Sequence, residues 1–250
     1  MLPEFIALIA LVFMVLYVLT KNKFFGAFCW FIFAIASFLK GLEFVNLDNF
    51  NAALFILASI FFILLGKAAY SLNSRTLIEV TSFSAFACAM YLPFVFFEPL
   101  NAAIIEKTAN LTSRLGNLLG FPVTSNGKIL ELGESYVEII LPCTAIESIS
   151  LFTGATLGIK ADFSRKLKAF LISVPIIYFL NLLRNLFVLL SYTYSWFGEE
   201  SFYIAHHVIS KILAMIALLL ISYAVFRILP ELAELIYSLK SEIMRGVKID

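Results

Sequence analysis

The sequence predicts an all-α polytopic membrane protein with about seven transmembrane helices, and three observations carry that expectation. Apolar residues make up 62% of the 250-residue chain and charged residues only 14%, far from the balance of a water-soluble domain. Apolar runs close to the length that crosses about 30 Å of hydrocarbon recur along the chain. Basic residues gather in alternate connections instead of spreading evenly.

The first run, residues 5–19, has no basic segment before it and no small-residue cleavage pattern after it. It is expected to lie in a retained span, residues 3–20, and not in a removed signal. Three further spans are expected at residues 24–42, 50–70 and 77–97, and three more at 143–159, 168–192 and 205–229. The whole chain, 1–250, then forms one membrane domain, in which residues 1–97 hold four N-terminal spans and 98–142 an outer loop. Residues 143–229 form a three-span core and 230–250 a tail.

Cytoplasmic connections retain lysine and arginine. Of the 18 basic residues, Lys21, Lys23, Lys67, Arg75, Lys160, Arg165, Lys166, Lys168, Arg227, Lys240, Arg245 and Lys248 fall on one side of this topology, and only Lys40, Lys107, Arg114 and Lys128 on the other. The sparse side also collects acids, among them Glu43, Asp48, Glu98, Glu138, Glu199 and Glu200. The expectation is a multi-pass protein of the cell membrane with the N-terminus outside and the C-terminus cytoplasmic.

In the outer loop, Ile104, Leu111, Leu115, Leu118 and Leu119 recur at helical spacing, which suits an interfacial helix. Ser125-Asn126-Gly127 is a hairpin signal, and the alternation Tyr136-Val137-Glu138-Ile139-Ile140 reads as a strand leading to Cys143. After Pro230, Leu232, Leu235, Ile236, Leu239 and Ile243 alternate with charged residues as an amphipathic cytoplasmic helix does.

The net charge of +1 gives no bulk attraction for nucleic acid. The three cysteines, Cys29, Cys88 and Cys143, are too few and scattered for a disulfide framework or a thiolate metal site, and no metal or organic cofactor is expected. Cys29 and Cys88 read as small apolar fillers.

Ionisable groups within hydrocarbon are costly and therefore informative. Cys143 opens the fifth expected span from outside, with Glu147 one turn later on the same face. Arg184 lies sixteen residues beyond Lys168, about 24 Å from the cytoplasmic end at the usual helical rise. His206 and His207, the only histidines, open the last span from the same outer side. A thiol, an imidazole that can take its proton and a guanidinium that can face an oxyanion suffice for acyl transfer. The structural alternatives are a filler cysteine, an Arg184–Glu147 pair that fixes helix packing, and interfacial histidines. Lys211 reads as a snorkelling side chain.

These residues lie in three stretches: Leu141-Pro142-Cys143-Thr144-Ala145-Ile146-Glu147-Ser148-Ile149, Asn181-Leu182-Leu183-Arg184-Asn185 and Ala205-His206-His207-Val208-Ile209-Ser210. In order, spacing and placement they resemble the Cys, Arg and His blocks of the exosortase and archaeosortase family of membrane transpeptidases. The resemblance covers residues 120–229, and the Cys-Thr-Ala-Ile-Glu run looks closer to the archaeal branch. It implies Cys143 as nucleophile, Arg184 as transition-state stabiliser and His206 as acid/base, with Glu147 and His207 supporting or alternative. His206 is favoured over His207 because Ser210 supplies the small residue four positions on, although that place is often glycine in the family.

It further implies substrates that are exported proteins ending in a short motif, a hydrophobic helix and a basic cluster. Cysteine attack releases the tail, and the new C-terminus passes to an acceptor, a membrane lipid in archaeal relatives. The competing expectations are a hydrolytic intramembrane cysteine protease and a non-enzymatic transporter or lipid carrier that uses the intramembrane charges. Neither internal repeats nor paired broken helices favour the transporter.

Overall fold

The computed structural model describes residues 2–247; Lys248, counted above among the cytoplasmic basic residues, lies outside them. The chain is helical apart from one small sheet, and two compact units divide it.

The first unit holds, of the described residues, 2–92, 153–166 and 229–247. Its helices are α1 (Leu2–Thr20), α2 (Lys23–Phe44), α3 (Asn49–Leu72) and most of α4 (Arg75–Phe96). Small residues let these helices approach closely: a Cβ added to Gly26 would stand 2.8 Å from the Tyr17 ring. The buried Trp30 indole donates to Thr81 Oγ1 at 3.1 Å, so the deepest polar N–H of this bundle is satisfied. The tail helix, α10 (Pro230–Val247), packs on α3 through Leu232, Leu235 and Gly246, with Ile236 on the exposed side. Ser74 donates to Glu242, and Arg165 forms a two-pronged pair with Glu231.

The second unit holds residues 93–152 and 167–228. Helix α5 (Glu98–Leu118) buries Ile105, Thr108, Ala109, Thr112, Ser113 and Gly116. That stripe of small and polar residues is a different face from the leucine face expected to lie in the interface, on which Leu118 is 84% exposed. Packing distance requires the small residues: Gly116 lies so near Val123 that a Cβ there would come within 2.7 Å, and Ser113 and Asn117 both donate to the Val123 carbonyl.

The expected hairpin is one half of a three-stranded antiparallel meander of β1 (Thr124–Asn126), β2 (Ile129–Leu132) and β3 (Ser135–Glu138). The pairs Asn126↔Ile129 and Leu132↔Ser135 close two-residue turns that begin with Gly127 (φ 57°) and Gly133 (φ 61°). A positive φ at the first central residue favours glycine and matches the twist of a hairpin. Leu130 and Leu132 point from the sheet into a core completed by α5 and by α7 (Phe163–Thr193).

Six helical segments among the described residues are long and apolar enough to cross a membrane: α1 to α4, α7 and the run Gly198–Ile228. The fifth expected span, 143–159, differs. It is a 3-10 turn, Leu141–Thr144, followed by α6 (Ile146–Leu157). Twelve α-helical residues reach about 18 Å, well short of the hydrocarbon thickness. The interruption is Ala145, which stands at φ 59° and cannot continue the turn into the helix. Towards its other end α6 packs on α4 through Gly154, as does Gly158 just beyond it; an added Cβ at either would meet the Phe83 backbone at 2.6 Å. Such a pair of glycines four apart is a common way for membrane helices to pack.

The last span is not uniform either. Between α8 (Ser201–Tyr203) and α9 (Ser210–Ile228) the chain forms a π-helical segment, Ile204–Ile209, which carries both histidines. Single π turns within α-helices often sit at functional places because they re-aim side chains.

Candidate active site

All five residues singled out from the sequence lie in the second unit, except that Glu147 and its neighbours begin a helix that continues beyond it. Cys143 sits in the 3-10 turn, 9% exposed, in a buried cluster with Ile105, Ala109, Val123, Ile139, Leu186 and Leu189. The meander delivers the chain to this point: the Ile139 N–H donates to Lys128 O at 2.9 Å and the Cys143 N–H to Ile140 O at 2.8 Å. Thr144 Oγ1 closes the turn on Leu141 O at 2.7 Å.

The Cys143 carbonyl oxygen is bound twice from α7. Asn181 Nδ2 donates to it at 2.6 Å and Asn185 Nδ2 at 2.9 Å. Both asparagines are buried, 7% and 5% exposed. They flank Arg184 in sequence, so the turn that carries the thiol is tied to the stretch of helix that carries the guanidinium.

Arg184 meets the π-helical segment. Its Nη2 lies 3.5 Å from His206 Nε2, at the outer limit of a hydrogen bond. A guanidinium can only donate, so Nε2 accepts and the ring proton is assigned to Nδ1. The His206 Nδ1 and Arg184 Nε are buried without a protein partner. The His206 ring stacks on Phe202, with centroids 5.4 Å apart and planes 5° from parallel, which fixes its orientation. The His207 ring packs on Tyr203, at 5.2 Å, and meets the His206 ring edge-on, at 4.5 Å.

Thus Arg184 and His206 are brought into contact, and Cys143 joins them through its main chain. Among the described residues no hydrogen bond links the Cys143 thiol to an imidazole or to the guanidinium. A cavity of about 810 Å³ lies beside this group. Pro142 and Ala145 on either side of the cysteine line it, as do Glu147, Asn181, Arg184 and Ser210. Below these polar groups its walls are apolar, formed by Ile176, Ile177 and Leu180 of α7 and by Leu213, Ala217, Leu220 and Ile221 of α9. Ser210 is 2% exposed, and its hydroxyl has no partner in the protein. No set of three or more possible metal ligands clusters among the described residues.

Sequence reasoning quoted Asn181 and Asn185 only as neighbours of Arg184 and assigned them nothing. Two amides four residues apart in an apolar span are themselves a signal, since each needs a partner inside the bilayer.

Comparison with known proteins places this geometry in context. A family model described as transmembrane exosortase (Exosortase_EpsH) matches residues 4–223. An archaeosortase A from Haloferax volcanii is 35% identical over 116 residues, which is 40% of this chain and 38% of that protein. An archaeosortase A from Natronomonas pharaonis is 24% identical over 254 residues, covering 85% of this chain and 78% of the relative. No solved structure matches.

Proposed function

Because this chain belongs to the transmembrane exosortase family, we propose that it is a membrane-embedded cysteine transpeptidase. It cleaves exported proteins ahead of a C-terminal hydrophobic helix and passes the new C-terminus to an amine, that of a membrane lipid. The observation that carries the reading is the tie between Cys143 and the Arg184 segment, with Arg184 in turn against His206.

The chemistry divides among these side chains. The substrate carbonyl oxygen draws the Arg184 guanidinium onto itself, and this frees His206 Nε2 to take the proton of the Cys143 thiol. Sulfur then adds to the scissile carbonyl carbon, and the developing oxyanion faces the fixed positive charge of Arg184. Collapse of that adduct breaks the C–N bond, leaves a thioester on Cys143, and His206 returns its proton to the departing amine. An acceptor amine attacks the thioester next; a new amide forms, the acceptor proton passes through His206, and the thiol is restored.

The cavity supports the substrate class. Its apolar walls suit a hydrophobic helix, and its polar end suits the unwound peptide above that helix. Irregular backbone at membrane depth is tolerated only where protein lines it. The burial of Cys143, 9% exposed, supports the transfer step, since it restricts water at the thiol. In this reading the site faces outward, the N-terminus is outside and the C-terminus cytoplasmic, as the basic residues suggest.

The test is Cys143→Ser in the intact protein, followed by mass spectrometry of the mature C-terminus of exported host proteins that end in a helix and a basic cluster. Processing is expected to stop in the variant, and the parental product is expected to carry an amide-linked lipid. Continued processing without the thiol overturns the enzymatic reading; a free carboxylate on the parental product overturns the transfer step.

A further inference from the structure

The Cys143 carbonyl is held more firmly than its burial requires. A carbonyl oxygen has two acceptor positions, and one partner would spare it the cost of burial. Here both are filled by side-chain amides from a single helix, at 2.6 and 2.9 Å. The next residue but one, Ala145, keeps a left-handed conformation at φ 59° without being glycine. Such a conformation costs on the order of 1 kcal/mol or more and persists only where neighbouring contacts over-determine it. The two amides are those contacts on the Cys143 side of the turn.

We infer that Asn181 and Asn185 are positioning residues of the reaction proposed above, a clamp that fixes the nucleophile's main chain relative to Arg184. The inference rests on that reading of Cys143 and Arg184. Asn181 lies one helical turn before Arg184 and Asn185 directly after it, so a shift of this stretch of α7 carries the thiol and the guanidinium together. The attacking sulfur and the oxyanion charge thereby keep one spacing even though no hydrogen bond joins them. Asparagine suits the task because its amide donates and carries no charge. An aspartate of the same shape would present an acceptor, and at neutral pH a negative charge, to the carbonyl.

The experiment uses the full-length protein in host membranes, with Asn181→Asp, Asn185→Asp and the two alanine variants. Two readouts are taken together: processing of exported host proteins, and alkylation of each cysteine by iodoacetamide, located by mass spectrometry. Cys29, fully buried in the first unit, reports the fold of that unit, and a parental unfolding midpoint in detergent reports that of the whole protein. A displaced nucleophile loses on the order of 100-fold in a positioned reaction, so processing is expected to fall by about that factor in the aspartate variants. Alkylation of Cys143, which needs no positioning, is expected to persist, with Cys29 still protected. The alanine variants, which each keep one donor, are expected to fall less far.

Parental processing in both aspartate variants overturns the clamp, and so does exposure of Cys29 in all four variants, which makes the asparagines folding determinants only. Processing that survives Cys143→Ser defeats the underlying reading instead, whatever the asparagine variants do.

Discussion

Arg184 Nη2 stands 3.5 Å from His206 Nε2, a guanidinium and an imidazole from two different helical segments facing each other at the polar side of the second unit. Two groups that can both be cationic are a poor pair for stability alone. Their approach is intelligible if the guanidinium leaves for a substrate oxygen and the imidazole then takes a proton.

Arg184 is therefore expected to resist conservative exchange. Arg184→Lys keeps a charge but loses the planar fork, and Arg184→Gln loses the charge as well. Both are expected to lower processing, the glutamine variant on the order of 100-fold or more, as removal of an oxyanion partner does. Pulse-chase analysis of an exported substrate checks this.

The two histidines are expected to separate. His206→Ala removes the ring that meets Arg184 and stacks on Phe202, and a lost general base costs roughly 100-fold or more. His207→Ala removes a ring that packs on Tyr203 and is expected to change the rate only a few-fold. Equal losses in the same pulse-chase experiment would contradict the assignment.

The cavity is expected to bind the substrate's helix. Ala217 lines its apolar wall, and Ala217→Phe narrows the space without touching Cys143, Arg184 or His206. With a purified substrate in nanodiscs, KM is expected to rise with little change in kcat. An unchanged KM removes the cavity from the substrate path.

A separate expectation concerns the fold alone. Gly158→Leu places side-chain atoms where even a Cβ stands 2.6 Å from Phe83 Cα. Overpacking of this kind costs about 1–3 kcal/mol. A lowered unfolding midpoint in detergent is expected, whereas Leu219→Ala on the exposed face of α9 should leave it nearly unchanged.

The spans were legible because length and apolarity suffice to mark a bilayer crossing, and Cys143, Arg184 and His206 stood out because ionisable side chains are rare in such apolar runs. The break at Ala145 was not legible. Its left-handed conformation lies in a turn tied by tertiary hydrogen bonds at Cys143, and neither glycine nor proline stands there to announce it. The π-helical segment at His206 likewise carries no local sequence mark. The second hairpin could have been read, since Gly133-Glu134 sits between two alternating segments as a turn does. Gly154 and Gly158 were legible too, as small residues four apart in an apolar run. The small-residue stripe of α5 was not legible, because the leucine spacing marks an interfacial face while close packing on Val123 and Leu186 demands small side chains on another.

The most direct test is to catch the covalent intermediate. Purified protein mixed with substrate and quenched in acid is expected to yield a peptide spanning residue 143 that carries an acyl group from the substrate, removable by hydroxylamine. An intermediate found on any other side chain, or turnover with Cys143 demonstrably unmodified throughout, would contradict the account.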